Sequence, residues 1–96
     1  MFLGRYHFAG DTDALAAAYD RLMAVVSRDD VQIQICVRVP GGLDIYDACP
    51  DREEFRRFST QAAFVAAIER AGLPRPRVDE LGDIHRSIAG LSVVRD

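Results

Sequence analysis

The stretch Val31-Gln32-Ile33-Gln34-Ile35-Cys36-Val37-Arg38-Val39-Pro40-Gly41-Gly42-Leu43-Asp44-Ile45-Tyr46 decides how this chain folds. Val31, Ile33, Ile35, Val37 and Val39 alternate with Gln32, Gln34, Cys36 and Arg38. Such alternation is the two-residue period of a half-buried strand. Pro40-Gly41-Gly42 is a turn signal, and Leu43, Asp44, Ile45 and Tyr46 alternate again, so the stretch reads as a β-hairpin. The branched aliphatic side of its first strand is expected to be core. The side carrying Gln34, Cys36 and Arg38 is expected to be the open one.

Working outward, Phe2 to Ala9 reads as a strand with Phe2, Tyr6 and Phe8 on one face and Leu3, Arg5 and His7 on the other. Gly10-Asp11-Thr12 ends it, and Asp11 is a good N-cap. From there to about Ser27, the spacing of Leu15, Ala18, Tyr19, Leu22, Val25 and Val26 predicts a helix. Arg28-Asp29-Asp30 is a polar turn before the hairpin. Beyond it, Pro50 and the acidic run of Asp51, Glu53 and Glu54 open a short helix, with negative charge where the helix dipole favours it. Phe55 and Phe58 give that helix an apolar side. Thr60 is expected to cap a second segment with a Phe64, Ile68, Ala71 stripe, which Gly72 closes. Val78 to roughly Ile88 is expected to be a last, less regular strand, with Gly82 marking a bulge. A short apolar tail follows Gly90. The order is βαββαβ. It predicts an α+β, ferredoxin-like two-layer sandwich in which helices cover one face of a four-stranded antiparallel sheet.

Residues 1–96 are expected to form a single domain. A domain of this size buries only about two-thirds of the surface its unfolded chain exposes, so a partner would help it. A net charge of −3 argues against a nucleic-acid partner, which calls for a basic stripe. All twelve basic residues are Arg, and the chain has no Lys, Asn or Trp. No Lys can therefore form a Schiff base, and no Asn can bind substrate. Cys36 and Cys49 make neither a disulfide framework nor a metal motif. The N-terminal residues do not read as a signal peptide, and no apolar stretch approaches the roughly 20 residues of a membrane span. The expected location is cytoplasmic.

The βαββαβ order and its residues together resemble the dimeric α+β barrel superfamily, and most closely its small antibiotic-biosynthesis-monooxygenase-like (ABM-like) proteins of uncharacterised function. The resemblance covers nearly the whole chain. It rests on Gly42-Leu43-Asp44-Ile45-Tyr46-Asp47, Glu54-Phe55-Arg56-Arg57-Phe58, Phe64-Val65-Ala66-Ala67-Ile68, Ala71-Gly72-Leu73-Pro74-Arg75-Pro76 and Ile84-His85. It implies a homodimer whose sheets lie face to face, and a barrel that can hold a small organic ligand or haem. The family's oxygenases use cavity Asn and Trp residues that this chain lacks, and Cys49 stands near the usual Trp position. Haem-degrading relatives use an Asn, Trp and His set, of which only His is present. The implied function is small-molecule binding between sheet and partner. The alternatives are a cofactor-independent or haem-related monooxygenase or an isomerase, and a non-catalytic structural or ACT-like regulatory module. No other cofactor and no metal is expected.

By strand parity the candidate pocket residues are Arg5, His7, Gln34, Cys36, Arg38, Tyr46 and His85. His7 and His85, on strands expected to be neighbours, are candidates for acid-base work or haem ligation, because imidazole titrates near neutral pH. Arg5 and Arg38 could clamp a carboxylate or phosphate. Tyr46 could orient a ligand through its hydroxyl. The bland alternatives are ion pairs for the arginines, a wet sheet face or dimer contact for the histidines, a dimer contact or solvated edge for Gln34, a small core residue for Cys36 and an amphipathic interface residue for Tyr46.

Overall fold

The first strand, β1 (Phe2–Ala9), lies at the centre of the sheet because its alternation of Phe2, Gly4, Tyr6 and Phe8 leaves one side wholly buried. A computed structural model describes residues 1–25 and 33–88. The remaining elements are α1 (Thr12–Met23), β2 (Ile33–Val39), β3 (Gly42–Cys49), α2 (Arg52–Thr60), α3 (Ala62–Ala71) and β4 (Arg77–Asp83). The strands form a four-stranded antiparallel sheet in the order β2-β3-β1-β4. This is the expected ferredoxin-like arrangement, with the second half of the motif split into two helices. Ser27, the turn Arg28-Asp29-Asp30, Val31, Gln32 and the tail after Gly90 lie outside the described residues.

Local chemistry accounts for most boundaries. Asp11 caps α1, its Oδ2 accepting from the Ala14 N–H at 2.9 Å. Asp51 caps α2 in the same way, accepting from Glu54 N–H at 2.8 Å. Gly72 closes α3 in the left-handed conformation, at φ 86°, as a glycine C-cap should. Gly82, at φ 150°, stands where the β1–β4 register slips opposite Leu3 and Gly4. The hairpin turn is tied down from β1: Gly10 N–H donates to Gly41 O, and Thr12 Oγ1 to Val39 O and Gly42 O, all at 3.0–3.1 Å.

The helix layer buries Leu15, Ala18 and Leu22 of α1, Phe55 of α2, and Ile68 and Ala71 of α3 against Phe2, Tyr6, Phe8, Leu43 and Ile45 of the sheet. Phe55 is sealed between the Phe2 and Tyr6 rings, at centroid distances of 5.8 and 5.4 Å.

Four expectations are corrected. The faces of β2 are reversed: its aliphatic side is the open one. Gln34 pairs across from Asp47, Cys36 from Ile45 and Arg38 from Leu43, all on the helix side of β3. Ile35 and Val37 face the open side opposite Tyr46 and Asp44, and Ile35 is 55 % exposed. On an edge strand only α1 lies nearby, and the polar side finds partners there: Tyr19 bonds Gln34, and Asp13 pairs with Arg38. The second correction concerns the end of α1. It stops at Met23, and Val25 is left 81 % exposed rather than buried. The third concerns Thr60, whose hydroxyl bonds back to Arg56 O within α2 while Gln61 holds the α3 cap position. In the fourth, β4 ends at Asp83, so His85 is not a strand residue and is exposed.

Candidate functional site

On the open face the register sets His7 opposite Asp44 on one side and Arg77 on the other, and Arg5 between Tyr46 and Asp79. The side chains satisfy one another. His7 Nδ1 lies 2.5 Å from Asp44 Oδ1. Arg5 donates from Nε and Nη2 to Asp79 Oδ2 at 3.1 and 3.0 Å, and its guanidinium stands 5.9 Å from the Tyr46 ring centre. Arg77 Nε joins Asp79 at 3.3 Å. Burial pushes the Asp79 carboxyl up, but hydrogen bonds from Arg5 and Arg77 outweigh it and hold the group below the usual carboxylate range. Beside this ionic ladder runs the aliphatic row of β2. The open face is therefore a surface of paired charges next to bare Ile35 and Val37. His85 is remote from it. Phe2 pairs with Asp83 at the far end of β1, so the two histidines are separated by more than about 16 Å of strand, at roughly 3.3 Å per residue.

A cavity of about 530 Å³ lies on the other side, between sheet and helices. Tyr6, Phe8, Ile45 and Asp47 floor it, Tyr19 and Leu22 of α1 wall one flank, and Phe58, Phe64, Ala67 and Ile68 of the later helices wall the other. Its lining is mostly apolar, with a few polar groups converging on it, the usual make-up of a small-molecule site.

Three of those polar groups matter. Tyr6 is 2 % exposed, held by ring contacts with Phe55 and Phe64 at 5.4 and 5.2 Å. Its hydroxyl is buried and has no hydrogen-bond partner among the described residues. Burial and the nearby Asp47 carboxyl push that hydroxyl strongly toward its protonated form, a donor without an acceptor. Asp47 stands at a core position of β3, in line with Leu43 and Ile45. Its Oδ1 accepts from Gln34 Nε2 at 3.1 Å, and Gln34 Oε1 in turn accepts from the Tyr19 hydroxyl. Burial raises the Asp47 carboxyl above its ordinary range, the Gln34 bond only partly opposing it. Among the described residues no cation pairs with Asp47. Cys49, also in the lining, has its thiol pushed up by burial and by the carboxylates of Asp47, Glu54 and Asp51, which keeps it unreactive.

The expected pocket set is thus divided. Arg5, His7 and Tyr46 share the open face. Gln34 is in the helix-side cavity. Cys36 packs beside the core, its thiol pushed up to about 11 by burial. Arg38 pairs with Asp13 at the start of α1. His85 joins none of them. Sequence reasoning missed Tyr6, Tyr19 and Asp47. The signal for Asp47 was present: the helix-side positions of β3 read Leu43, Ile45, Asp47, Cys49, and a carboxylate in that row interrupts an otherwise apolar face. Tyr6 was legible as a core aromatic, but nothing local marks its hydroxyl as unpaired.

Among solved structures, the chain is similar to the crystal structure of a "putative antibiotic biosynthesis monooxygenase" from Deinococcus radiodurans. The TM-score is 0.60 and the identity 8 %, over 96 % of this chain and 100 % of that one. At that identity the likeness establishes the fold alone, a ferredoxin-like α+β arrangement. No protein-family profile and no curated protein matches the sequence. No helix among the described residues is long and apolar enough to cross a membrane.

Proposed function

We propose that this protein binds a small, mostly apolar organic molecule with a hydrogen-bond-accepting oxygen, in the cavity between its sheet and its helices. The buried Tyr6 hydroxyl carries this reading. An unsatisfied buried donor costs about 1–3 kcal/mol, and a ligand oxygen placed on it recovers that cost. The surrounding apolar lining supplies the rest through burial. The test is a thermal-shift and calorimetric screen with small aromatic ketones and phenols. A ligand that raises the melting temperature of the wild type should bind Tyr6→Phe at least tenfold more weakly. Equal affinity for both proteins would sink the assignment.

The open face supports a homodimer in this reading. Ile35 and Val37 lie bare beside a ladder of satisfied charges, and a second copy presents the same surface. A stable pair needs about 800 Å² from each partner. Light scattering at micromolar concentration should give twice the 10.7 kDa chain mass. The ligand cavity would then belong to each subunit and the barrel interior to the interface.

Oxygenation of the bound molecule is the second reading, favoured by the description of the structural neighbour. Oxygen consumption with a bound phenol would test it. Haem does not fit this cavity. Neither histidine lines it, and the Cys49 thiol and Tyr6 hydroxyl are both held in their protonated, weakly ligating forms. Asp47 and Glu54 would also oppose the haem carboxylates. The ACT-like alternative has little support: the Ala9–Asp13 corner, where an effector would sit, is filled by the hydrogen bonds of Gly10 and Thr12 to the hairpin.

A further inference from the structure

We propose that the cavity is an acid-base site for enolisable carbonyl compounds, in which Asp47 moves a proton at the carbon next to the carbonyl while the Tyr6 hydroxyl holds the carbonyl oxygen. The inference rests on the binding reading above and adds a reaction to it.

The two groups are placed for this by the sheet. Tyr6 lies opposite Ile45 across β1 and β3, and Asp47 is two residues further along β3 on the same face. Diagonal neighbours of that kind have backbones about 7–8 Å apart, still within reach of long and aromatic side chains. Both residues line the cavity, and Asp47 is close enough for its charge to act on the Tyr6 hydroxyl. Gln34 occupies Asp47 Oδ1 and is itself fixed by the Tyr19 hydroxyl, so the carboxyl cannot swing freely. Oδ2 carries no hydrogen bond among the described residues and is the oxygen left to meet a substrate.

The step balances without an oxidant or a cofactor. Asp47 Oδ2 takes the proton from the α-carbon. The C–H electron pair becomes the second bond between the α-carbon and the carbonyl carbon, and the carbonyl pair moves onto oxygen. The resulting enolate oxygen accepts a hydrogen bond from Tyr6, whose hydroxyl keeps its proton. Asp47 then returns the proton to the same carbon, which amounts to exchange, or to the γ-carbon of a β,γ-unsaturated ketone, which moves the double bond into conjugation. The substrate class is therefore small enolisable ketones, with β,γ-unsaturated ketones giving net isomerisation. A carboxyl raised by burial is a stronger base than one in water once ionised, and a donor aimed at the oxygen stabilises the charge where it develops. Gln34 is a positioning residue; it holds the carboxyl and touches no reacting atom.

The experiment follows α-hydrogen exchange of 2-tetralone and 1-indanone in deuterated buffer by proton NMR, with binding measured in parallel by thermal shift. The wild type should accelerate exchange, with a rate that rises with pH through a midpoint above the ordinary carboxyl value of 3.8. Asp47→Asn should retain binding and lose about 100-fold or more of the exchange rate. Tyr6→Phe, in which the base is intact, should lose about tenfold or more. Gln34→Glu should shift the pH midpoint upward by adding a second carboxyl beside the first. Binding with no exchange above buffer overturns this inference and leaves the binding reading standing. So does exchange that survives in Asp47→Asn. If neither ketone binds nor exchanges, both readings fall.

Discussion

Gly4 faces Asp47 across β1 and β3, and a Cβ placed on it would overlap the Phe55 ring. That ring is fully buried between Phe2 and Tyr6, so it has no room to retreat. Overpacking of this kind costs about 1–3 kcal/mol. Gly4→Ala should therefore lower the unfolding free energy by that amount, read as a lower urea midpoint with an unchanged slope. Asp47 has its own signature. The fold raises its carboxyl above the unfolded value, so the native state holds the proton more tightly than the unfolded chain does. Its contribution to stability is then full below pH 3.8 and is lost as pH rises through the raised folded value. Asp79 and Glu80, lowered by their arginine partners, act in the opposite sense, losing stability as pH falls. The stability difference between Asp47→Asn and the wild type should consequently grow in favour of the variant as pH rises from about 4, and then level off. A difference that is flat across that range would contradict the placement of Asp47.

At the scale of elements, β1, β3, the Asp11 cap and the Gly72 stop were legible in the sequence because each has a single physical reading. The aromatics of β1 can only be core, and Asp11 stands directly before a helical run. The orientation of β2 was not legible. Alternation separates two faces but does not say which layer each one meets. An edge strand has weak cover from the helices, and its aliphatic row can instead face the open side, where another apolar surface would complete it. The polar row then finds Tyr19, Asp47 and Asp13 on the helix side. This reversal is testable. Ile35→Glu, on the open face, should convert a dimer to a monomer with little loss of the monomer's own stability. Cys36→Ser, on the helix side, should leave the mass unchanged. A monomer from the second substitution and a dimer from the first would restore the original orientation.

For the whole molecule, the sheet separates two roles. Its helix side holds an apolar cavity with a hydroxyl unpaired among the described residues and a raised carboxyl. Its open side carries paired charges and bare aliphatics suited to a second copy. The sequence reading assigned ligand and partner to the same surface because the pocket was sought on the polar side of the hairpin. Candidate residues split accordingly, with Gln34 alone of the expected set reaching the cavity.

The central claim is that a small molecule enters on the helix side. A methyl-resolved carbon–proton NMR titration with 2-tetralone tests it most directly. Ile45 and Ile68 line the cavity, while Ile35 and Val37 face the open side. The Ile45 and Ile68 methyls should shift progressively and those of Ile35 and Val37 should stay in place. Shifts confined to Ile35 and Val37 would contradict the account and return the ligand to the open face.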